Sequence, residues 1–245
     1  MHSACSRPHP ALAAHYASEF CQRAHFCAQS NAYQAPSNGR IATYSGLISR
    51  LRKHHYPHYD QTQSKRRWKK TNVRGSTSAQ GKRVDAELGS VVAGKALPKR
   101  KKSWDAMTVS LLSYWRDDLG HTLEAAQVPV RVQGFWSTMT QADVITRDSD
   151  GRLWLWEVKT GMPVGFTRKK GVLQNVRGAE VPCNGAAVWH LQLHYTRKAL
   201  EAAGVPIAES RVIQIHGVRS DKNVLKRKVH IPPEWVGRLR EPSIA

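Results

Sequence analysis

The chain predicts an α/β domain: a central mixed β-sheet flanked by helices, in the order α, α, β, β, β, α, β, with the core α-β-β-β-α-β. Three observations predict it. Helix-period apolar stripes recur at 81–94, 104–120 and 186–203. Strand-length apolar runs lie between and after them. The cluster Asp148-Ser149-Asp150-Gly151 joins two of those runs into a hairpin.

Taken in order, residues 1–40 are rich in Ala, Ser and His, with Glu19 the only acid. They read as a disordered tail or, through Arg7, Arg23 and Arg40, as an organelle transit peptide. Residues 41–54 are compatible with a short amphipathic helix, and ordered structure is expected to begin near Gly81. The helix over 81–94 places Val84, Leu88 and Val91 on one stripe. The helix over 104–120 has Ser103 as a cap and Gly120 as its stop. Strands are expected at 128–136, 140–147 and 152–160. A loop over 161–183, a helix over 186–203 ending at Gly204, a strand at 210–218 and a short one at 226–232 complete the chain. The division is a basic N-terminal arm, 1–77, largely disordered or loosely helical, followed by a domain, 78–245.

Charge narrows the function. The 245 residues carry 38 Lys+Arg against 18 Asp+Glu, a formal net charge of +20. Residues 1–102 hold 19 basic and 4 acidic side chains, and the remainder is far more balanced. Such a surface attracts polyanions, nucleic acid first and an anionic membrane surface as the rival. No run of 18 apolar residues exists, so no bilayer span is expected. Basic runs at Lys65-Arg66-Arg67-Trp68-Lys69-Lys70, at Lys99, Arg100, Lys101 and Lys102, and at Arg168, Lys169 and Lys170 suit phosphate contacts, or simple solvation. Cys5, Cys21, Cys27 and Cys183 are too few for a disulfide scaffold and point to a reducing, intracellular compartment. With His25, the first three match no compact zinc spacing.

The chemistry sits on the hairpin. Side chains alternate across a strand, so Glu157 and Lys159 share a face. A turn centred near 149 or 150 sets Asp143 against position 156 or 157, where opposed Cβ atoms lie ~5 Å apart. Two carboxylates at that separation can share a divalent cation, with Lys159 beside it to position or deprotonate a bound water. A surface hairpin with an ordinary Glu–Lys pair has the same spacing. Against it, Leu153-Trp154-Leu155-Trp156 is apolar on both faces, the mark of a buried central strand. Charges at the end of such a strand are costly unless used.

Asp143 followed by Glu157-Val158-Lys159 resembles the signature of the PD-(D/E)XK nuclease superfamily. Gly81-Lys82-Arg83-Val84-Asp85 and Leu191-Gln192-Leu193-His194-Tyr195 resemble helix motifs of its lambda-exonuclease-like and RecB-like branch. The departures are specific. Asp85 stands where that branch has His or Glu, with Glu87 nearby as an alternative. Tyr195 comes one position early, with Thr196 at the usual site, and Ala142 replaces a common Pro. The resemblance covers about residues 81–218 and implies a restriction-endonuclease-like core and an Mg²⁺- or Mn²⁺-dependent deoxyribonuclease of exonuclease type, acting in repair, recombination or replication. Asp143, Glu157, the Val158 carbonyl and Asp85 or Glu87 would hold the metal; Lys159 would serve the nucleophile, with Gln192 and Tyr195 in support. DNA is the implied partner, with a second copy or a separate helicase or recombinase chain beside it. The implied location is a nucleus or a DNA-containing organelle such as the mitochondrion, if the source is eukaryotic.

A helical wheel at about 100° per residue is an independent check. It puts Gln192 inside the apolar arc of Leu191, Tyr195, Val188, Ala199, Trp189 and Leu200, with His190 and His194 opposite. A sheet-facing glutamine needs partners, from the site or from backbone. The competing functions are a non-catalytic nucleic-acid-binding protein that keeps the nuclease fold, and a basic membrane-surface or scaffold protein.

Overall fold

The computed structural model describes residues 8–27, 32–49, 51, 77–94, 106–132, 138–160, 174–176, 179–181, 185–217 and 225–230. The chain opens with helices α1 (Pro10–Ala17) and α2 (Glu19–Arg23) and strands β1 (His25–Cys27), β2 (Ala32–Ser37) and β3 (Arg40–Gly46). Helix α3 (Thr77–Val92) follows, then α4 (Ala106–Ser113), which runs into a π-helical turn at Tyr114–Asp118. Strands β4 (Thr122–Arg131), β5 (Thr138–Arg147) and β6 (Leu153–Thr160) form a meander. The pair β7 (Gln174–Val176) and β8 (Ala179–Val181) forms its own small sheet. Helix α5 (Gly185–Ala202), β9 (Glu209–Gly217) and β10 (Leu225–His230) end the described chain.

Eight strands make one mixed, open sheet in the order β1-β2-β3-β5-β6-β9-β10, with β4 on the other edge of β5. The α/β expectation with a mixed sheet flanked by helices therefore holds. Strand β6 pairs parallel with β9 over Trp154–Thr160, so it is central, and its apolar run on both faces follows from that position. Leu153 and Leu155 face one core, shared with Leu193, Ala199 and Leu200 of α5. Trp154, Trp156 and Val158 face the other, against Val84 and Leu88 of α3 and Leu111 of α4. Trp156 is fully buried, and the partly buried Trp154 stacks on it at 6.0 Å.

Strand β5 has three partners. Strand β4 takes one edge antiparallel. The other edge is divided: β3 pairs parallel at Ser45↔Thr138 and Gly46↔Met139, and β6 pairs antiparallel from Val144↔Trp156 to Arg147↔Leu153. Residues 140–143 lie on that edge between the two ladders, and this opening positions the site.

The N-terminal segment departs most from expectation. Residues 8–27 and 32–49 are not a disordered or loosely helical arm. Leu12 of α1 is 1% exposed and belongs to the α5 core, and His15 Nε2 bonds the Pro129 carbonyl at 3.0 Å. Ordered structure thus begins before Gly81, and the expected helix at 41–54 is a strand to Gly46 before a helical turn at 47–49. The first meander strand lies at Thr122–Arg131 rather than 128–136, because Gly120, at φ +67, ends the preceding helical segment and extended chain starts at once. Pro129 fits inside it because β4 has no partner on its outer edge among the described residues. His190, placed by the wheel on the solvent side, is buried. The basic runs at 65–70, 99–102 and 168–170 lie outside the described residues.

The turn of the β5–β6 hairpin is organised by Asp148. Its Oδ1 accepts from the Asp150 and Arg152 backbone N–H groups at 3.0 and 2.9 Å. Its Oδ2 accepts from Arg152 Nε at 2.8 Å and Trp154 Nε1 at 2.9 Å. Burial alone raises the pKa of this carboxyl, but the Trp154 and Arg152 donors outweigh it and hold the group at about 2. Asp148→Ala is expected to cost about 2–3 kcal/mol in denaturant unfolding. A carboxyl depressed in the folded state stabilises above the ordinary aspartate range, and that stability is lost as pH falls toward 2. The variant should therefore show a shallower loss of stability across this acid window.

Candidate active site

Asp143 sits at a kink shared by two strands. Ala142 faces the α5 core while Val144 faces the α3/α4 core, although regular alternation would put both on one side. Across the β4–β5 ladder, Val128 and Ala126 show the same change, and Gln127 between them has φ +54, a left-handed conformation rare for a non-glycine residue. The ladder pairs 126 with 144 and 128 with 142, so Gln127 stands opposite Asp143. Both strands thus reverse facing at one level, and the Asp143 side chain turns toward the opening beside β6. There its Oδ2 accepts the Val158 N–H at 2.9 Å, standing in for a backbone ladder bond.

The register Val144↔Trp156 sets 143 against 157, as turn geometry predicts. Asp143 and Glu157 lie close enough that the charge of Asp143 acts on Glu157, and both approach Lys159. Lys159 Nζ donates to Glu157 Oε1 and lies 3.8 Å from Asp143 Oδ2. The side chain of Glu157 is only 1% exposed. Burial first, and the Asp143 charge second, push its pKa up to about 8, and burial likewise raises Asp143. Burial alone lowers the pKa of Lys159, but Glu157 and Asp143 outweigh it and raise it above the ordinary lysine range. With no metal bound, the two carboxylates hold Lys159 as a cation, which suits the positioning role of the two expected for it.

Asp85 reaches the cluster from α3. Burial first and Asp143 second raise its pKa to about 7, and Lys159 opposes them. Gly81, one turn earlier, shows why the helix can sit there: a Cβ at that position would lie 2.9 Å from Thr160 Oγ1 on β6. Gly81→Ala gains roughly 1 kcal/mol of helix propensity but must displace the helix or Thr160. We expect it to move Asp85 away from Asp143 and lower the Asp85 pKa toward the ordinary range, and Thr160→Ala in the same chain to reverse this, as read by NMR titration of the carboxyl. Glu87, the alternative ligand, points elsewhere: it accepts from Thr108 Oγ1 at 2.5 Å and Arg83 Nε at 3.1 Å. Two positions from Asp85 on a helix is a rotation of about 200°, just over half a turn, so the two side chains do not face the same way.

Gln192 and Tyr195 are both buried on α5. The Gln192 side-chain oxygen has no protein partner, while Tyr195 packs edge-on against His194 at 5.4 Å. Tyr33 on β2 was not legible as a site residue. Burial, then the charges of Asp143 and Glu157, push its phenol up to about 12, which places it within their electrostatic reach.

Among the described residues, no group of three or more His, Cys, Asp or Glu side chains is close enough to hold a metal ion unaided. The donor set nevertheless fits a hard cation. Asp143 and Glu157 converge on the Lys159 ammonium, and Asp85 adds a third carboxyl at longer range. Their repulsion is offset by one ammonium and by bound protons, which a divalent ion would replace. No protein-family model matches this chain, and no curated protein matches it significantly.

Proposed function

We propose that this chain is a divalent-metal-dependent DNA nuclease of the PD-(D/E)XK type with a restriction-endonuclease-like core. The observation that carries this reading is the convergence of Asp143, Glu157 and Lys159 at the opening between β5 and β6. Asp143 and Glu157 would hold Mg²⁺ or Mn²⁺, with the Val158 carbonyl as a further donor and Asp85 beyond it. The bound ion supplies Lewis-acid polarisation of a phosphoryl oxygen and a more acidic water. Lys159, kept protonated by its neighbours, would orient the attacking water and offset negative charge developing on the phosphate. The buried Gln192 side-chain oxygen, which has no protein partner, would be a supporting acceptor in this reading. The +20 charge supports a polyanionic substrate. Among the described residues no helix is long and apolar enough to cross a membrane.

The test incubates end-labelled linear and closed-circular DNA with the protein in Mg²⁺ or EDTA. We expect linear DNA alone to be degraded, in Mg²⁺ only, which would identify exonuclease action. Lys159→Ala should bind DNA normally and lose degradation. Chelator-indifferent cleavage, or cleavage unchanged in that variant, overturns the assignment. A non-catalytic binder is the reading left if the wild-type chain binds DNA and never cuts it.

A further inference from the structure

A row of aromatic side chains leads from solvent to the carboxylates. Phe26 on β1 pairs in register with Tyr33 on β2, and Tyr33 with Tyr44 on β3, so the three lie side by side on one face. The Phe26 and Tyr33 rings meet edge to face with centroids 5.2 Å apart. Tyr33 Cε2 lies 3.7 Å from where a Gly46 side chain would begin, so its ring reaches over Gly46. Gly46 is the residue by which β3 joins β5 at Met139, four positions from Asp143. Tyr33 therefore stands beside the opening, and the negative charge felt by its phenol agrees with that place.

At the outer end, Phe26 is 47% exposed, a large apolar side chain left in water on an edge strand. Two strands in from Phe26, Arg131 stacks over the Tyr44 ring and over Phe20 at 5.2 Å each, and Glu19, the one acid among described residues of this segment, is paired with Arg23. An exposed ring at the head of an aromatic row that ends beside the carboxylate cluster, in a chain of net charge +20, fits the pattern that holds single-stranded nucleic acid: stacking for the base and cations for the backbone.

We infer that Phe26 and Tyr33 form a ledge on which an unpaired nucleobase next to the scissile phosphate stacks, so that the substrate is a single strand or a frayed end. This rests on the nuclease reading for the word scissile, but not for the binding itself. The rim of the site is thus built by the N-terminal segment, and the ledge selects splayed bases over duplex.

The test uses the full chain, a short single-stranded oligonucleotide with 2-aminopurine near its end, and Ca²⁺ in place of Mg²⁺. Wild-type protein should quench the fluorophore. Phe26→Ala should weaken binding about tenfold and lose most of the quench, whereas Phe26→Trp should keep both. Phe26 is exposed, so folding is not at stake; Val109→Ala, equally exposed on α4, is the control expected to change neither. An oligonucleotide of abasic residues should bind wild type and Phe26→Ala alike, because it keeps the phosphates and lacks the rings. Equal affinity and quench for wild type and Phe26→Ala on the normal oligonucleotide overturns the ledge. If quenching behaves as expected while wild type cuts nothing in Mg²⁺, the ledge stands and the nuclease reading falls. If wild type cuts and Phe26→Ala binds unchanged, the reverse holds.

Discussion

Glu157→Gln should abolish degradation of DNA and yet leave the metal-free protein at least as heat-stable as wild type. Loss of one anionic ligand removes several kcal/mol of transition-state stabilisation, a fall on the order of 10³-fold in kcat. The stability effect has the opposite sign because Glu157 is buried against a second carboxylate, and the isosteric amide removes that repulsion. Lys159 keeps Asp143 as its ionic partner. Wild type should gain roughly 5–10 °C in Tm with Mg²⁺ at a hundredfold excess over Kd, and the variant should gain little. The same cluster fixes a pH trend in EDTA. A glutamate raised to about 8 keeps its proton in the folded chain where the unfolded chain has already lost it. Stability of the metal-free protein then falls as pH rises from the ordinary glutamate range toward 8. Glu157→Gln should flatten that slope. A variant that melts well below wild type in EDTA, or that keeps the Mg²⁺ shift, is the outcome that removes Glu157 from the metal site.

Strong local patterns made the hairpin legible. Asp148-Ser149-Asp150-Gly151 fixed the turn, alternation fixed the faces, and together they brought Asp143 to Glu157 across 14 positions. The helices α3 and α5 were legible for the same reason, within a few residues. The kink at Asp143 was not, because its device is Gln127 in a left-handed conformation, with no glycine to announce it. Neither was the state of Lys159, since its pKa depends on how closely two carboxylates approach, which sequence spacing does not give. Residues 41–54 misled through period: Tyr44, Leu47 and Leu51 recur at helical spacing and all are buried, but Tyr44 lies on a strand and Leu47 in the turn that follows. Strands β1 to β3 are short and poor in aliphatic residues, and β3 joins the main sheet through β5, far along the chain at Ser45↔Thr138, so local pattern carries little of their signal.

Leu12→Ala should cost about 2–5 kcal/mol, where a substitution in a disordered tail would cost nothing. Leu12 is buried in the same core as Ala199, Leu200 and Val128, and α1 is further tied by His15 to Pro129 and by the His9 N–H to Glu124 Oε2 at 3.1 Å. Removing residues 1–51 is harsher. It strips β3 from the β5 edge and takes away buried Tyr44, Leu47 and Leu51, so the remainder should lose cooperative unfolding altogether. Denaturant melts of both variants check this; a truncated chain that unfolds cooperatively with wild-type midpoint would return the segment to the status of an appendage. The distinction bears on function. An appendage that supplies only nonspecific phosphate affinity would, when weakened, raise KM and leave kcat alone. A segment that forms part of the sheet beside Asp143, and carries Tyr33 to the carboxylates, couples folding to catalysis. Leu12→Ala should then lose activity in step with the folded fraction as temperature rises, and recover wild-type kcat wherever it is fully folded.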